Sequence, residues 1–415
     1  MTAMTIATEA APAKAREDRF ERGMRVLRRI GGQNYDDPIN RLAETSRDLA
    51  RYTVEYPYGD ILSRPGLELS LRELCTVSML LADGSAQPQL KYHMNGFLNA
   101  GGQPRALVEL MFVAVAILGF PAAINGVAVL REVFEKRNLA VEALPPATDD
   151  GTGRGRDGVR ALAQLTGGDI QGYFDSFAAA SPDLVRLSIE FAFGEALSRD
   201  GLDTKAKLLA VIAMLGAAGN RSDALRLYLA GALAQGVTRE EIIELLMQLS
   251  VYGGFPAALN AFADANRVFT RTGAGTTELS FPEATSSEGH TERFERGRAI
   301  LAKTSGASGD AVVNSFNDIA PDLGRMIIEH SYGEVFSRDG IDMKTRELTA
   351  CGALAAIATE TAEVPLRVHI NAALNAGASR QEVVETLLNL IPYTGFPGVQ
   401  QAVRIAAEEF AKRPG

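Results

Sequence analysis

The chain repeats itself three times, and nothing else in its 415 residues constrains the fold as strongly. RFERGMRVL at Arg19–Leu27 returns as RFERGRAIL at Arg293–Leu301, with a weaker copy, GRDGVRAL, at Gly155–Leu162. Aligning Gly23, Gly158 and Gly297 sets offsets of 135 and 139 residues. The same offsets bring YGDILSRPGL (Tyr58–Leu67), FGEALSRDGL (Phe193–Leu202) and YGEVFSRDGI (Tyr332–Ile341) into register. With two residues inserted in the third copy, GFPAAIN, GFPAALN and GFPGVQQ, which begin at Gly119, Gly254 and Gly395, align as well. A fixed period of self-similarity marks a repeated structural unit. The predicted units occupy residues 16–137, 154–271 and 291–413. Asn138–Gly153 and Arg271–Thr291 are rich in Gly, Pro, Ser, Thr and acids and read as linkers.

Within each unit alanine and leucine dominate and apolar residues recur at three- and four-residue steps, the period of a helix with one buried face. The pattern predicts helices near 17–30, 37–62, 70–83, 86–100, 104–118 and 121–136 in the first unit. Gly101, Gly236 and Gly377 stand where a left-handed helix cap belongs, and the proline of each GFP string is placed to open the last helix. The expected fold class is all-α, with three tandem helical units in a pseudo-threefold arrangement. A covalent triplet suggests fusion of the subunits of a cyclic trimer, and two such chains are expected to pair as a homodimer into a pseudohexamer.

Composition removes several function classes. A net charge of −9 argues against nucleic-acid partners. Two cysteines cannot form a disulfide framework, and four histidines leave little for a metal site. The most apolar stretch, Ala106–Phe120, is interrupted by Glu109 and is too short to span a bilayer, which needs about 20 residues. The first residues lack the basic start and apolar core of a signal peptide, so the expected location is cytoplasmic, with no membrane partner. There is no glycine-rich nucleotide loop between a strand and a helix, and no cofactor is expected.

The three copies act as an internal control. The arginines at 64, 199 and 338, the glutamates at 109, 244 and 385, and the acids Asp60, Glu195 and Glu334 occur in every copy, as scaffold residues should. Copies one and three share a second set. Glu73 and Glu347 sit in an Arg-Glu-Leu string where copy two has Leu208. His93 and His369 follow, where copy two has Tyr228. Asn95 and Asn99, like Asn371 and Asn375, are replaced in copy two by Ala230 and Ala234. Joint loss points to joint work, and to a middle unit that has become scaffold.

The group has a plain chemistry. A histidine exchanges protons near neutrality, a carboxylate can fix its tautomer, and asparagine amides or an arginine can hold a developing oxyanion. The candidates are therefore His93, Glu73, His369 and Glu347 for proton transfer. Asn95, Asn99, Arg72, Asn371, Asn375 and Arg346 are the candidates for holding substrate. Each also has a bland explanation. Ser70 and Glu73 fit a capping box, although Lys344 replaces the serine in copy three while Glu347 remains. A histidine beside Leu90, Met94 and Phe97 can be a satisfied core residue. His290, in a linker, and His330, unmatched elsewhere, read as incidental, and Cys75 and Cys351 as buried thiols.

These motifs resemble the carboxymuconolactone decarboxylase family, within the wider alkylhydroperoxidase-D-like fold. The resemblance rests on the RFERG string, the aromatic-Gly-acid segment ending Ser-Arg-x-Gly, the histidine helix ending Asn-Ala-Gly, and the closing GFP. It implies a helical, trimer-forming unit, often hexameric, that decarboxylates a carboxylated lactone without a cofactor, with its histidine at His93 and His369. The peroxidase branch would need cysteines at 86 and 89 or at 362 and 365. Ala86, Gln89, Ala362 and Pro365 stand there, so thiol peroxidase chemistry lacks its nucleophile. The decarboxylase branch carries tryptophans where this chain has Tyr58, Phe193 and Tyr332, and Leu62, Leu197 and Phe336, which implies a reshaped pocket. The expected activity is cofactor-independent acid–base chemistry, decarboxylation or a related proton transfer or cyclisation, on a small carboxylated lactone or enolisable carbonyl compound. The alternative is a ligand-binding or scaffold protein descended from such an enzyme.

Overall fold

The computed structural model describes residues 18–141, 153–166, 174, 181–219, 221–274, 290–315, 317, 319–357 and 360–413. The N-terminal tail and most of both predicted linkers lie outside the described residues. Every regular element among the described residues is a helix. Unit 1 contains α1 (Arg19–Gly31), α2 (Asp37–Thr45), α3 (Arg47–Thr53), a wide π-type segment π1 (Val54–Leu62), α4 (Leu69–Asp83), α5 (Gln87–Asn99), α6 (Pro104–Leu118) and α7 (Phe120–Arg137). Unit 2 contains α8 (Gly153–Thr166), α9 (Pro182–Leu187), π2 (Ser188–Leu197), α10 (Thr204–Ala218), α11 (Ser222–Ala234), α12 (Arg239–Tyr252) and α13 (Gly254–Thr272). Unit 3 contains α14 (His290–Thr304), α15 (Gly306–Asn314), α16 (Pro321–Met326), π3 (Ile327–Phe336), α17 (Met343–Ile357), α18 (Glu360–Asn375), α19 (Arg380–Leu388) and α20 (Ile391–Ala411).

The local signals read from the sequence have physical counterparts. Gly101, Gly236 and Gly377 hold φ of +94°, +82° and +92°, a region that side chains with a Cβ avoid. Pro121 and Pro256 lie in the first turns of α7 and α13. In unit 3 the last helix starts earlier, at Ile391, and Pro397 lies inside it. The single helix expected over 37–62 is instead broken. Ser46 is extended at φ −147° and its side chain accepts from the Leu49 amide, so α3 begins anew there. The chain then widens into π1. Pro57 is not the general cause, because π2 and π3 lack a proline.

All three copies place a glycine of the first helix against the backbone at this crossing, and a Cβ on Gly158 would lie 2.1 Å from the Ile189 carbonyl oxygen. A Cβ on Gly23 would lie 2.3 Å from the Val54 carbonyl oxygen, and one on Gly59 would lie 2.4 Å from that of Arg19. Gly297 and Gly333 make the same approach in unit 3. The RFERG arginine closes the crossing electrostatically. Arg19 is buried and donates its Nε to Asp60 at 2.9 Å and an Nη to Glu55 at 3.2 Å. Arg293 pairs likewise with Glu329 at 3.2 Å.

Contacts between units are of two kinds. Arg64 of unit 1 bonds Glu244 of unit 2, while Arg199 of unit 2 bonds Glu109 of unit 1. Equivalent helices α4 and α10 pack on each other at this boundary. Such mutual exchange is the mark of a local dyad. Units 1 and 3 exchange contacts as well, through Arg64–Asp322 at 3.0 Å and Arg338–Asp48 at 2.7 Å. Between these two bridges Tyr56 stacks on His330, its own counterpart, with ring centroids 4.4 Å apart. His330 is thus an interface residue rather than an incidental one, and it also bonds Glu334 at 3.0 Å. Units 2 and 3 meet head to tail, with α13 against α18. A head-to-tail contact is the kind the expected pseudo-threefold arrangement requires. The two dyads were not anticipated from the sequence.

One apolar core runs through units 1 and 2 into α14–π3, and a second holds α17–α20 together. Cys75 and Cys351 are both buried, and burial pushes each thiol up to about 12. Among the described residues, no helix is long and apolar enough to cross a membrane.

Candidate functional site

The glutamates and histidines of copies one and three meet. Antiparallel neighbours α4 and α5 bring Glu73 Oε2 within 2.8 Å of His93 Nδ1. In unit 3, α17 and α18 bring Glu347 Oε2 within 2.7 Å of His369 Nδ1. Glu73 makes no helix-start bond: α4 begins at Leu69, Glu68 is its cap residue, and the cap has no side-chain hydrogen bond. The capping-box explanation therefore fails. A carboxylate on Nδ1 favours the tautomer with the proton there, leaving Nε2 as the nitrogen that can accept one. In unit 2 the same two places hold buried Leu208 and Tyr228.

The two pairs differ in surroundings. The side chain of His93 is 4 % exposed and that of His369 is 17 % exposed. His93 packs edge-on between Tyr92 and Tyr252 of unit 2, at centroid distances of 5.3 and 5.5 Å. Burial raises the hydroxyl pKa of Tyr58, Tyr92 and Tyr252 above the ordinary tyrosine value, so these groups stay neutral.

His369 instead lines a cavity of about 280 Å³ with a mainly apolar wall. Tyr332, Phe336 and Val313 of unit 3 form part of it, and Phe255, Pro256 and Leu259 of unit 2 complete it. The ring of Phe336 lies 5.8 Å from that of His369. Burial pushes the Tyr332 hydroxyl up to about 12. Positions 332 and 336 are two of the aromatic or bulky positions singled out in the sequence. The GFP string of the middle unit thus reaches beyond its own unit and helps wall the unit 3 cavity.

The remaining sequence candidates do not join the pairs. Arg72, expected to hold substrate, has no exposed surface; it bonds Glu244 at 2.8 Å and the Arg64 and Pro65 carbonyls at 3.0 and 2.9 Å. Arg346 donates to the Arg338 carbonyl at 2.6 Å, and Lys207 donates to the equivalent Arg199 carbonyl. A basic residue closing the Ser-Arg-x-Gly turn is therefore a scaffold feature of all three units, kept by the middle one. Each asparagine, two or six residues beyond its histidine, projects from the other side of the helix. Asn95 and Asn99 accept from Arg137, and Asn99 donates to the Ile30 carbonyl at the end of α1. Asn371 and Asn375 accept from Arg413, and Asn375 donates to the Thr304 carbonyl at the end of α14.

This clasp ties the histidine helix to the first and last helices of its unit. Sequence reasoning missed its arginine, although the signal was present: Arg137 and Arg413 align with Thr272 in the middle copy. The asparagines were lost there with the arginine that bonds them, which explains their joint disappearance without assigning them to substrate. Among the described residues, no three histidine, cysteine or acidic side chains are gathered as a metal site would require.

Comparison with known proteins agrees with this architecture. The carboxymuconolactone decarboxylase family model matches three times, over residues 47–132, 182–266 and 321–408. A 4-carboxymuconolactone decarboxylase from Acinetobacter baylyi is 42 % identical over 127 residues, which are 30 % of this chain and 94 % of that protein. An uncharacterised 15.0 kDa protein of Paracoccus denitrificans is 32 % identical over 100 residues, 24 % of this chain and 74 % of its own. A nitrosuccinic acid decarboxylase of Metarhizium robertsii is 28 % identical over 124 residues, 29 % of this chain and 83 % of its own. Each alignment is about one unit long. With three matches that together span more than half of its length and coincide with its three internal repeats, the chain belongs to the carboxymuconolactone decarboxylase family.

Proposed function

We propose that the protein is a decarboxylase-like enzyme whose working site is the His369–Glu347 pair at the wall of the unit 3 cavity. The observation that carries this reading is the union of a carboxylate-oriented imidazole with an apolar cavity of small-molecule size. Two of the similar proteins are named as decarboxylases, one of a carboxylated lactone and one of a nitro-substituted diacid, which supports the reaction class.

The reaction that fits is loss of a carboxylate attached next to a carbonyl or an equivalent electron sink. The bond to the carboxylate carbon breaks, its electron pair enters the sink as an enolate, and carbon dioxide leaves. Imidazolium at His369 then delivers a proton from Nε2 to carbon, Glu347 stabilises the charged ring before transfer, and solvent reprotonates the histidine. An apolar wall favours this step because it solvates a localised carboxylate poorly compared with a spread enolate. The His93–Glu73 pair has the same parts in a more enclosed setting.

The test is incubation of small carboxylated lactones and β-keto acids in deuterium oxide, followed by NMR. The expected result is carbon dioxide release with one deuterium placed at the carbon that lost it, abolished in His93→Ala combined with His369→Ala. Ligand binding without isotope exchange would instead identify a non-catalytic binding protein. Turnover unchanged in the double variant would remove the histidines from the mechanism.

A further inference from the structure

We infer that the unit 3 cavity takes a substrate with one carboxylate, the one that leaves, on an otherwise apolar body of one substituted ring or two small ones. This rests on the His369–Glu347 pair being the working site, and adds what that pair works on.

The wall sets the charge. Among the described residues that line the cavity there is no lysine or arginine. The side chains there with polar atoms are Ser331, Tyr332 and His369, and the Tyr332 hydroxyl is already bonded to Ser305. Arginines on the neighbouring helices are engaged elsewhere. Arg367, two residues before His369, pairs with Glu363, Glu408 and Glu409 at 2.7, 2.6 and 2.9 Å. Arg346 of α17 donates to the Arg338 carbonyl. Protonated His369 and Glu347 are together neutral, so the substrate's carboxylate enters as excess charge. That charge does not stay. As the bond to the carboxylate carbon breaks, its electron pair passes to the carbonyl sink, carbon dioxide leaves, and the proton from His369 neutralises the enolate. A second carboxylate would remain in the cavity through the whole cycle without a cation, and an unpaired buried charge is strongly disfavoured.

The space sets the size. An apolar cavity of about 150 Å³ holds a benzene ring, and this one measures about 280 Å³. It therefore accommodates a body of roughly ten to twelve non-hydrogen atoms. Phe255 and Pro256 of unit 2, with Val313 and Phe336 of unit 3, offer that body aromatic and aliphatic contact. Each methylene buried there strengthens binding about fourfold. Ser331 and His369 are left to meet the polar atoms, the carbonyl and the departing carboxylate.

Two ketones of matched shape test this by isothermal titration calorimetry on the full chain. In 4-isopropylacetophenone and 4-acetylbenzoate, an apolar group and a carboxylate occupy the same place. The isopropyl ketone is expected to bind about 100-fold more tightly. The corresponding β-keto acids, which carry the leaving carboxylate on the acetyl carbon, are expected to rank the same way in kcat/KM. Val364 lines the cavity and is 56 % exposed, so Val364→Arg adds a guanidinium at its rim without burying it. That variant is expected to narrow the preference about fivefold. Equal affinities, tighter binding of the carboxylate, no binding of either ketone at millimolar concentration, or a preference that Val364→Arg leaves intact would each overturn the inference. Ketones that bind in the expected order while neither keto acid loses carbon dioxide would uphold the preference of the cavity and overturn the decarboxylase reading instead.

Discussion

Glu347 and His369 meet at 2.7 Å although twenty-two residues separate them, and Glu73 and His93 meet at 2.8 Å across a separation of twenty. The histidine helix takes up the difference: α18 begins nine residues before His369, whereas α5 begins six before His93, and the pairing is kept. Glu347→Gln keeps the size of the side chain and removes the charge that steadies imidazolium. Steady-state kinetics on a turned-over carboxylated substrate are expected to show kcat lowered by about 100-fold, with KM changed little. Because His93 is the more enclosed histidine, Glu73→Gln is expected to cost less. Equal losses in the two variants would show that both sites contribute alike.

Glu244, itself buried, joins half-buried Arg64 to fully buried Arg72 at the boundary of units 1 and 2. Glu244→Gln leaves two guanidinium groups without their shared carboxylate. Breaking a buried pair in this way typically destabilises by about 3–5 kcal/mol. Urea unfolding followed by circular dichroism is expected to show a midpoint shift of that size, with Glu385→Gln, at the exposed counterpart, close to neutral.

Arg413 clasps Asn371 and Asn375 on the far side of the histidine helix from the pair. Arg413→Ala is expected to lower stability by about 1–2 kcal/mol, the value of two lost hydrogen bonds. It acts on chemistry only through helix position. Activity should therefore fall by less than in Glu347→Gln, and the pH profile should keep its shape. A displaced pH profile would place Arg413 in direct contact with the reacting groups.

Glu334 is buried at the junction of units 1 and 3. Burial alone would raise its pKa, but the His330 hydrogen bond and the charges of Arg19, His330 and Arg293 hold it down at about 2. A folded pKa below the unfolded value of about 4.3 contributes stability above that value, and the contribution is lost as pH falls through the folded pKa. Thermal unfolding of the wild type is thus expected to weaken between about pH 4 and pH 2. Glu334→Gln should flatten that decline. Glu55 and Glu329 act in the opposite sense, because burial raises both. A decline unchanged in Glu334→Gln would assign acid sensitivity elsewhere.

Much of the architecture was legible before any coordinates. The repeat, its all-helical character and the left-handed glycine caps are written in local spacing, which a chain carries with it wherever it folds. The Glu–His pairs were legible too, because the middle copy lacks both residues. What Arg72 and the asparagines bond was not legible, for the opposite reason. Their partners lie far off in sequence: Glu244 is 172 residues from Arg72, and Arg137 is 42 from Asn95.

The sequence by itself determined three helical units, two of them equipped with a histidine and a glutamate. Only the tertiary structure decided that units 1 and 2 face each other about a dyad, and that unit 2 helps wall the unit 3 cavity. It alone also decided that His369 lines a cavity and is less enclosed than His93. Helical periodicity follows from hydrogen bonds and side-chain packing a few residues apart, and so appears in any window of sequence. Which surface covers which depends on burial between segments 90 or more residues apart, and no window contains both.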